Sequence, residues 1–304
     1  MSTHESHDMA NAQAPAHAHG DDHYYIPHGS PWPIIAAVAL FCLMWGAVAY
    51  LDDWAGAWAF VPGPILIFYM FGGWFHTVIG ENQLGIYNAQ VDRSFRMGMM
   101  WFIFSEVMFF GAFFGALFYA RVLAVPWLGG QGVKGLTNLI LWPRYEAAWP
   151  TNGPGHIGGE NFEAMSAYGI AAINTLILLT SGLTVTIAHH ALRSGNRGRL
   201  KLFLALTFIL GFSFVALQGH EYYDAYTKLN LRLTTGIYGS TFFMLTGFHG
   251  LHVTIGAIML LVVWLRVLRG HFTPRQHFAF EAVSWYWHFV DVVWLGLFVF
   301  VYWL

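Results

Sequence analysis

An acidic residue in the middle of an apolar run is the first candidate for chemistry in this chain. The run from Met97 to Tyr119 has membrane-spanning length, contains the single acid Glu106, and is bracketed by Arg96 and Arg121. At 1.5 Å per residue, Glu106 lies roughly 15 Å from Arg96, near the middle of a hydrocarbon layer. An acid facing lipid there would cost roughly 2.5–3.5 kcal/mol, so we expect Glu106 to face protein or water. A hydrogen-bonded packing role and a proton-linked role both stay open.

Two histidines lie close together on a later apolar run. His249 and His252 are three residues apart in the stretch Thr246–Gly256, so they share one face of a helix. Two imidazoles are too few for a structural zinc site, although one could be an axial haem ligand. We favour imidazoles that hydrogen-bond to neighbouring helices, because glycines that permit close packing surround them: Gly247, Gly250 and Gly256.

The last apolar run carries three further ionisable side chains on one helical stripe. Glu281, His288 and Asp291 follow each other at spacings of seven and three residues. His288 and Asp291 can pair directly, which favours a structural pair over a proton relay. The predicted structural polar network is the whole set: His249, His252, Glu281, His288 and Asp291.

No metal site is predicted from these patterns. His189 and His190 are adjacent, so they point to different faces and cannot form a bidentate site from one helix. Cys42 is the single cysteine, which excludes a disulfide within the chain and a site of several thiolates. Residues 1–30 are rich in histidine without fixed spacing, and a disordered tail is favoured over a metal site there. The histidines of this tail are His4, His7, His17, His19, His23 and His28.

The elements that must position these residues are membrane helices. Hydrophobic residues make up 57% of the chain and charged residues 10%, against about 25% charged in a soluble domain. The net charge of −2 and the lack of a basic tract exclude nucleic acid as a partner. The apolar runs predict an all-α integral membrane protein of seven transmembrane helices. Helices 1–2 fall within residues 31–80, helices 3–7 within 81–304, and a long loop covers 122–167.

The basic residues predict the orientation of the chain. If the N-terminus is inside, nine of the 14 Lys and Arg residues lie in inner loops and five in outer loops. This distribution predicts a cytoplasmic N-terminus and a periplasmic C-terminus. A basic collar of Arg266, Arg269, His271 and Arg275 ends the sixth span. It fits anionic lipid head groups, and ordinary positive-inside anchoring explains it nearly as well.

Several long motifs in fixed order resemble subunit III of the aa3-type cytochrome c oxidases, a family of haem–copper terminal oxidases. The stretches that carry the resemblance are Ser30–Pro33, Arg96–Phe114, Ile173–Leu192, Glu221–Ala225, Gly236–Gly256 and His277–Leu295. The resemblance implies two groups of helices, 1–2 and 3–7, separated by a V-shaped cleft filled with phospholipid. It also implies an accessory subunit without redox centres or a complete active site of its own. Such a subunit packs mainly on subunit I and also contacts subunit II. Haem a and copper lie in these partner subunits. It supports subunit I stability, proton uptake and O2 access.

The resemblance also suggests roles for individual residues. Glu106 matches the family's carbodiimide-reactive carboxyl, while Arg266, Arg269 and His271 match positions near bound lipid. Glu81 is carried over as a lipid contact. Here the chain departs from the family, because Leu84–Gln90 replaces a His-containing segment of relatives. The long loop and the lack of a presequence predict a bacterial form, located in the inner (cytoplasmic) membrane.

Three alternatives remain at this stage. The chain could be the third subunit of a related quinol oxidase, since other chains select the electron donor. It could be a self-contained haem-bearing oxidoreductase that uses His189, His249, His252 or His288. A secondary transporter coupled through Glu106 ranks last, because the first spans show no convincing repeat in the later ones.

Overall fold

The computed structural model describes residues 29–159, 161–274 and 276–304. The His-rich tail, including His4 to His28, lies outside these described residues. Within the described ranges every regular element is helical. Seven helical segments are long and apolar enough to cross a membrane, which confirms the predicted all-α membrane fold. The α-helices are α1 Trp32–Leu51, α2 Pro62–Gln83, α3 Ala89–Phe118, α4 Val125–Leu128, α5 Gly135–Leu141, α6 Ile170–Arg193, α7 Arg197–Thr227, α8 Gly236–Leu268 and α9 Phe278–Leu297.

Helix α3 begins earlier than its apolar run. The hydrophobic pattern starts at Met97, whereas the helix starts at Ala89. The side chain of Asn88 accepts a hydrogen bond from the backbone N–H of Val91 at 2.9 Å, which satisfies one of the free donors of the first turn. Asp92 lies in the first turn, where its negative charge interacts favourably with the positive end of the helix dipole. The helix therefore extends beyond the N-terminal end of the apolar run.

The chain divides into two compact units, one reaching to Phe95 and the other beginning at Arg96. In the first unit, α1 and α2 pack closely at two glycines. A Cβ on Gly46 would lie 2.4 Å from the carbonyl oxygen of Ala59, and one on Gly63 would lie 2.8 Å from the Cα of Leu43. Near the start of α1, the Trp32 indole N–H donates to Thr77 Oγ1 at 3.2 Å. Close packing at two glycines and one partly buried hydrogen bond thus hold this helix pair together.

In the second unit, α6, α7, α8 and α9 pack around a fully buried tryptophan, Trp287 of α9. Its ring lies between two glycines. A Cβ on Gly211 of α7 would be 2.6 Å from the ring, and one on Gly256 of α8 would be 2.8 Å from it. The indole N–H donates to Ser181 Oγ of α6 at 2.9 Å. One large side chain therefore joins four helices, because three small residues leave space for it.

The glycines near His249 do not share one role. Gly256 faces Trp287 as close packing predicts, while a Cβ on Gly250 would meet nothing within 4 Å and one on Gly247 only Tyr222 Oη at 3.6 Å. Their sequence spacing places them on different sides of α8, so only one lies against a neighbouring helix at close range.

The long segment between α3 and α6 packs over the start of α8. The N–H of Tyr238 donates to the carbonyl of Thr151 at 3.2 Å. Gly236 has φ +52°, and a Cβ there would lie 2.4 Å from the Asn152 carbonyl oxygen. This segment also contains the short helices α4 and α5, so the predicted loop 122–167 is partly helical.

Candidate functional site

Glu106 of α3 contacts a histidine of α8. Its Oε2 lies 2.9 Å from Nε2 of His252, and the two side chains are 19% and 13% exposed. The same imidazole places Nδ1 2.6 Å from the backbone carbonyl oxygen of Phe248, one turn earlier in α8. Glu106 therefore faces protein through a hydrogen bond between two helices.

The Phe248 carbonyl determines how a proton can be placed in this pair. A carbonyl oxygen only accepts hydrogen bonds, so His252 Nδ1 must carry a hydrogen and donate it. Nε2 is then either an acceptor, in which case Glu106 is protonated and donates to it, or a second donor to an ionised Glu106. Both arrangements contain the same number of protons and have no net charge. The pair can therefore hold one shared proton between Oε2 and Nε2.

Aromatic rings surround the His252 imidazole. The Phe110 ring meets it edge-on at a centroid distance of 5.1 Å, and the Tyr286 ring stacks at 6.3 Å. Tyr286 also donates its hydroxyl hydrogen to the backbone carbonyl of His252 at 3.4 Å. An apolar enclosure strengthens the hydrogen bond between the carboxyl and the imidazole, because little water competes for either partner.

A second polar cluster lies where α6 ends and α9 begins. Glu281 forms an ion pair with Arg96, and its other carboxylate oxygen, Oε1, lies 3.1 Å from Nε2 of His277. His189 Nε2 of α6 lies 3.6 Å from that same oxygen. Sequence reasoning missed His277 and Arg96 as partners. The four-residue spacing of His277 and Glu281 was an available signal for the first contact.

The remaining members of the predicted network contact other groups. His249 is fully buried, and its Nε2 lies 3.2 Å from the Val290 carbonyl oxygen. His288 Nδ1 lies 3.8 Å from Asp291 Oδ2, and its Nε2 lies 3.3 Å from Thr186 Oγ1. The five residues proposed as one network thus belong to four separate groups of contacts. His249 and His252 share a helical face but point at α9 and α3 respectively.

The residues expected to contact lipid lie in two places. Arg266 is 8% exposed and places its guanidinium 4.6 Å from the centroid of the Phe272 ring. Arg269 is exposed and follows the end of α8. Partial desolvation, followed by the positive charges of Arg266 and Arg269, lowers the pKa of His271 from its usual value. In the first unit, Glu81 accepts a hydrogen bond from the Tyr87 hydroxyl at 2.6 Å.

Comparison with known proteins covers all of these positions. The family model for cytochrome c oxidase subunit III matches residues 22–304. The chain belongs to the cytochrome c oxidase subunit III family. Cytochrome c oxidase subunit 3 of Gadus morhua is 40% identical over 281 residues, which cover 92% of this chain and 96% of the relative. The corresponding proteins of Carassius auratus and Squalus acanthias are each 39% identical over 287 residues, covering 94% of this chain and 98% of each relative.

Family membership confirms the resemblance seen in the sequence motifs. As a cytochrome c oxidase subunit III, the chain is a subunit of an oxidoreductase complex of the respiratory chain. The accessory role fits the family, and the seven candidate spans agree with a multi-pass membrane protein. The match includes both polar clusters, since Glu106, His252 and Glu281 all lie within residues 22–304.

Proposed function

We propose that this chain is a non-redox subunit that supports proton uptake by the oxidase. Haem a and copper would belong to subunits I and II, with subunit I as the main contact. The contacts of the histidines support this assignment. His249 is engaged by a backbone carbonyl, His252 by a carbonyl and a carboxyl, and His288 by Asp291 and Thr186. These three engaged imidazoles favour an accessory chain over a haem enzyme that uses them as ligands, and His189, the fourth candidate, lies beside Glu281.

The observation that carries the proposal is the bond between Glu106 and His252. A carboxyl and an imidazole that share one proton inside the helix bundle can take up or release it at a small structural cost, because the Phe248 carbonyl already orients the ring. Buried ionisable groups in membrane helices mark pathways by default. We assign this pair to proton exchange that supports proton supply to subunit I, and we assign carbodiimide reactivity to Glu106.

The test compares oxidase complexes that differ only in this chain. Glu106→Gln should leave assembly, the reduced-minus-oxidised haem spectrum and most electron transfer intact, while it abolishes carbodiimide labelling of the chain. Ser105→Ala is the matched control, since Ser105 is exposed and bonds only to the Phe102 carbonyl. Complex without the chain should lose activity progressively during turnover. Full activity and full durability without the chain would show that the supporting role is wrong.

We further propose that phospholipid binds near Arg266, Arg269 and His271 at the end of α8, and near Glu81 at the end of α2. Arg269 is exposed beside the end of α8, and its guanidinium offers donors to a phosphate group. Arg269→Gln should reduce the phospholipid that copurifies with the complex, as measured by mass spectrometry. Arg144→Gln, in the segment between α3 and α6, is a control that should leave lipid content unchanged. Equal lipid content in both variants would contradict this assignment.

The proposed location is a bacterial inner membrane with the N-terminus cytoplasmic and the C-terminus periplasmic. The orientation rests on the excess of Lys and Arg in the inner loops, nine against five. The bacterial assignment rests on the sequence alone, since the relatives compared above are animal proteins. A C-terminal epitope tag should be cleaved by protease added to spheroplasts. Protection of the tag in intact spheroplasts, with cleavage only after lysis, would reverse the orientation.

A further inference from the structure

Three potential metal-binding atoms converge where α6 ends and α9 begins. They are Nε2 of His189, a nitrogen of His277 and a carboxylate oxygen of Glu281, and they all lie within 4.8 Å of one another. Two pairwise distances are shorter. Glu281 Oε1 lies 3.1 Å from His277 Nε2 and 3.6 Å from His189 Nε2. The two imidazole rings lie edge to face with their centroids 5.7 Å apart.

These separations fit the coordination shell of a small cation. Zinc lies about 2.0–2.2 Å from imidazole nitrogen and carboxylate oxygen, in tetrahedral geometry. Two ligands at those bond lengths and the tetrahedral angle are roughly 3.3–3.6 Å apart. The observed 3.1 Å and 3.6 Å bracket this range. The two imidazole nitrogens lie within 4.8 Å of each other, so side-chain rotations that bring them closer would enclose one ion.

The hydrogen bonds of the cluster leave atoms that can act as ligands to an ion. His189 Nε2 is buried and has no hydrogen-bond partner among the described residues, although it faces Glu281 Oε1. Arg96 engages Glu281 through the other oxygen, Oε2, so Oε1 is directed to the two imidazoles. The contact of Arg96 with Glu281 Oε2 resembles the outer-shell hydrogen bonds that orient carboxylate ligands in metal sites.

We propose that His189, His277 and Glu281 bind one divalent transition-metal ion of the zinc class. Two imidazoles and one carboxylate suit zinc and its neighbours, whereas magnesium and calcium prefer oxygen ligands alone. Three protein ligands leave a fourth tetrahedral position for water or an exchangeable ligand. The ion would tie the end of α6 to the start of α9, at the end of the bundle that carries Arg96, Arg193 and Arg266. This proposal is independent of the role assigned to Glu106.

The test uses the full chain in mild detergent, with Zn²⁺ in equilibrium dialysis and Co²⁺ as a spectroscopic substitute. His277→Asn is the site variant, and His190→Asn is the matched control because His190 is exposed and adjacent to a ligand without belonging to the cluster. Any background binding by the histidines of the N-terminal tail is the same in every variant, because no substitution changes that segment. Wild type and control should bind about one ion per chain more than the site variant, with Co²⁺ absorption of tetrahedral type.

Equal metal binding by wild type and His277→Asn would overturn the proposal, and so would an equal loss in the His190→Asn control. A labelling experiment on the wild-type chain avoids any folding defect of the variants. Zn²⁺ should protect His189 and His277, but not His190, from diethyl pyrocarbonate, as read by peptide mass spectrometry. Labelling of all three histidines that does not respond to Zn²⁺ would likewise overturn the proposal.

Discussion

Replacing Gly256 by alanine tests whether the packing of Trp287 against Gly211, Gly256 and Ser181 stabilises the second unit. The added Cβ would lie 2.8 Å from Cε3 and 2.9 Å from Cζ3 of the ring. The ring is fully buried and has little space to move, because a Cβ on Gly211 would also lie 2.6 Å from it, at Cη2. Helix α8 must then move away from α9, or the indole must leave its rotamer and its bond to Ser181.

The expected size of this effect follows from packing. Adding a methyl group to a well-packed core costs about 1–3 kcal/mol. Gly250→Ala is the matched control on the same helix, because a Cβ there meets nothing within 4 Å. Replacing a helical glycine by alanine without a clash should stabilise by roughly 0.5–1 kcal/mol. Because both substitutions replace a helical glycine by alanine, this gain is common to the two variants, and their free energies of unfolding should differ by the packing cost alone, about 1–3 kcal/mol.

Reversible unfolding of the full chain in mixed micelles measures this difference, with denaturing detergent as titrant and far-ultraviolet circular dichroism as signal. Trp287→Phe in the Gly256→Ala background should recover part of the loss, because the smaller ring leaves room for the methyl group, and a double-mutant cycle reports that coupling. Equal unfolding midpoints for Gly256→Ala and Gly250→Ala would refute the claim that Trp287 packs tightly against Gly256. An additive Trp287→Phe effect would refute the contact between ring and glycine.

Three further predictions concern single groups. Ser181→Ala removes the buried acceptor of the Trp287 N–H and should cost about 1–3 kcal/mol of unfolding free energy, whereas Thr180→Ala, exposed and bonded only within its helix, should change it by less than about 0.5 kcal/mol. Tyr302→Phe removes the hydroxyl that donates to buried Glu221 at 3.1 Å, so carboxypeptidase should release the C-terminal residues faster than from wild type. Because the folded pKa of His271 is lowered, the unfolded chain binds its proton first as pH falls through about 6.5. Stability should therefore drop as pH falls below that value, and His271→Gln should flatten this slope; an unchanged slope would contradict the assignment.

The membrane fold and the candidate acid were predictable from the sequence because both signals are local. Seven long apolar runs predict seven spans, and one carboxyl inside such a run must find protein or water regardless of where the other helices lie. Helix α3 begins before the apolar run at Met97 because hydropathy does not register the cap at Asn88 or the acid Asp92, which favour a helix start at Ala89.

The partners were not predictable in the same way. His249 and His252 are equivalent by spacing, yet one is engaged by the Val290 carbonyl of α9 and the other by Glu106 of α3. Glu281, His288 and Asp291 were predicted to share one stripe of a helix, but their polar neighbours on other elements differ. Arg96 and His189 lie beside Glu281, and Thr186 lies beside His288. Periodicity describes one helix and contains no information on what faces it.

By itself, the sequence determined the class of protein, the number of candidate spans, the position of Glu106 within an apolar run and the family, because hydropathy and ordered motifs are properties of the chain. Only the tertiary structure decided that His252 contacts Glu106, that Trp287 packs against three small residues, and that His189 meets His277. Each of these contacts joins residues far apart in the chain, and their distance depends on how the helices pack against one another. Packing is a collective property of all the helix surfaces, so no single stretch encodes it.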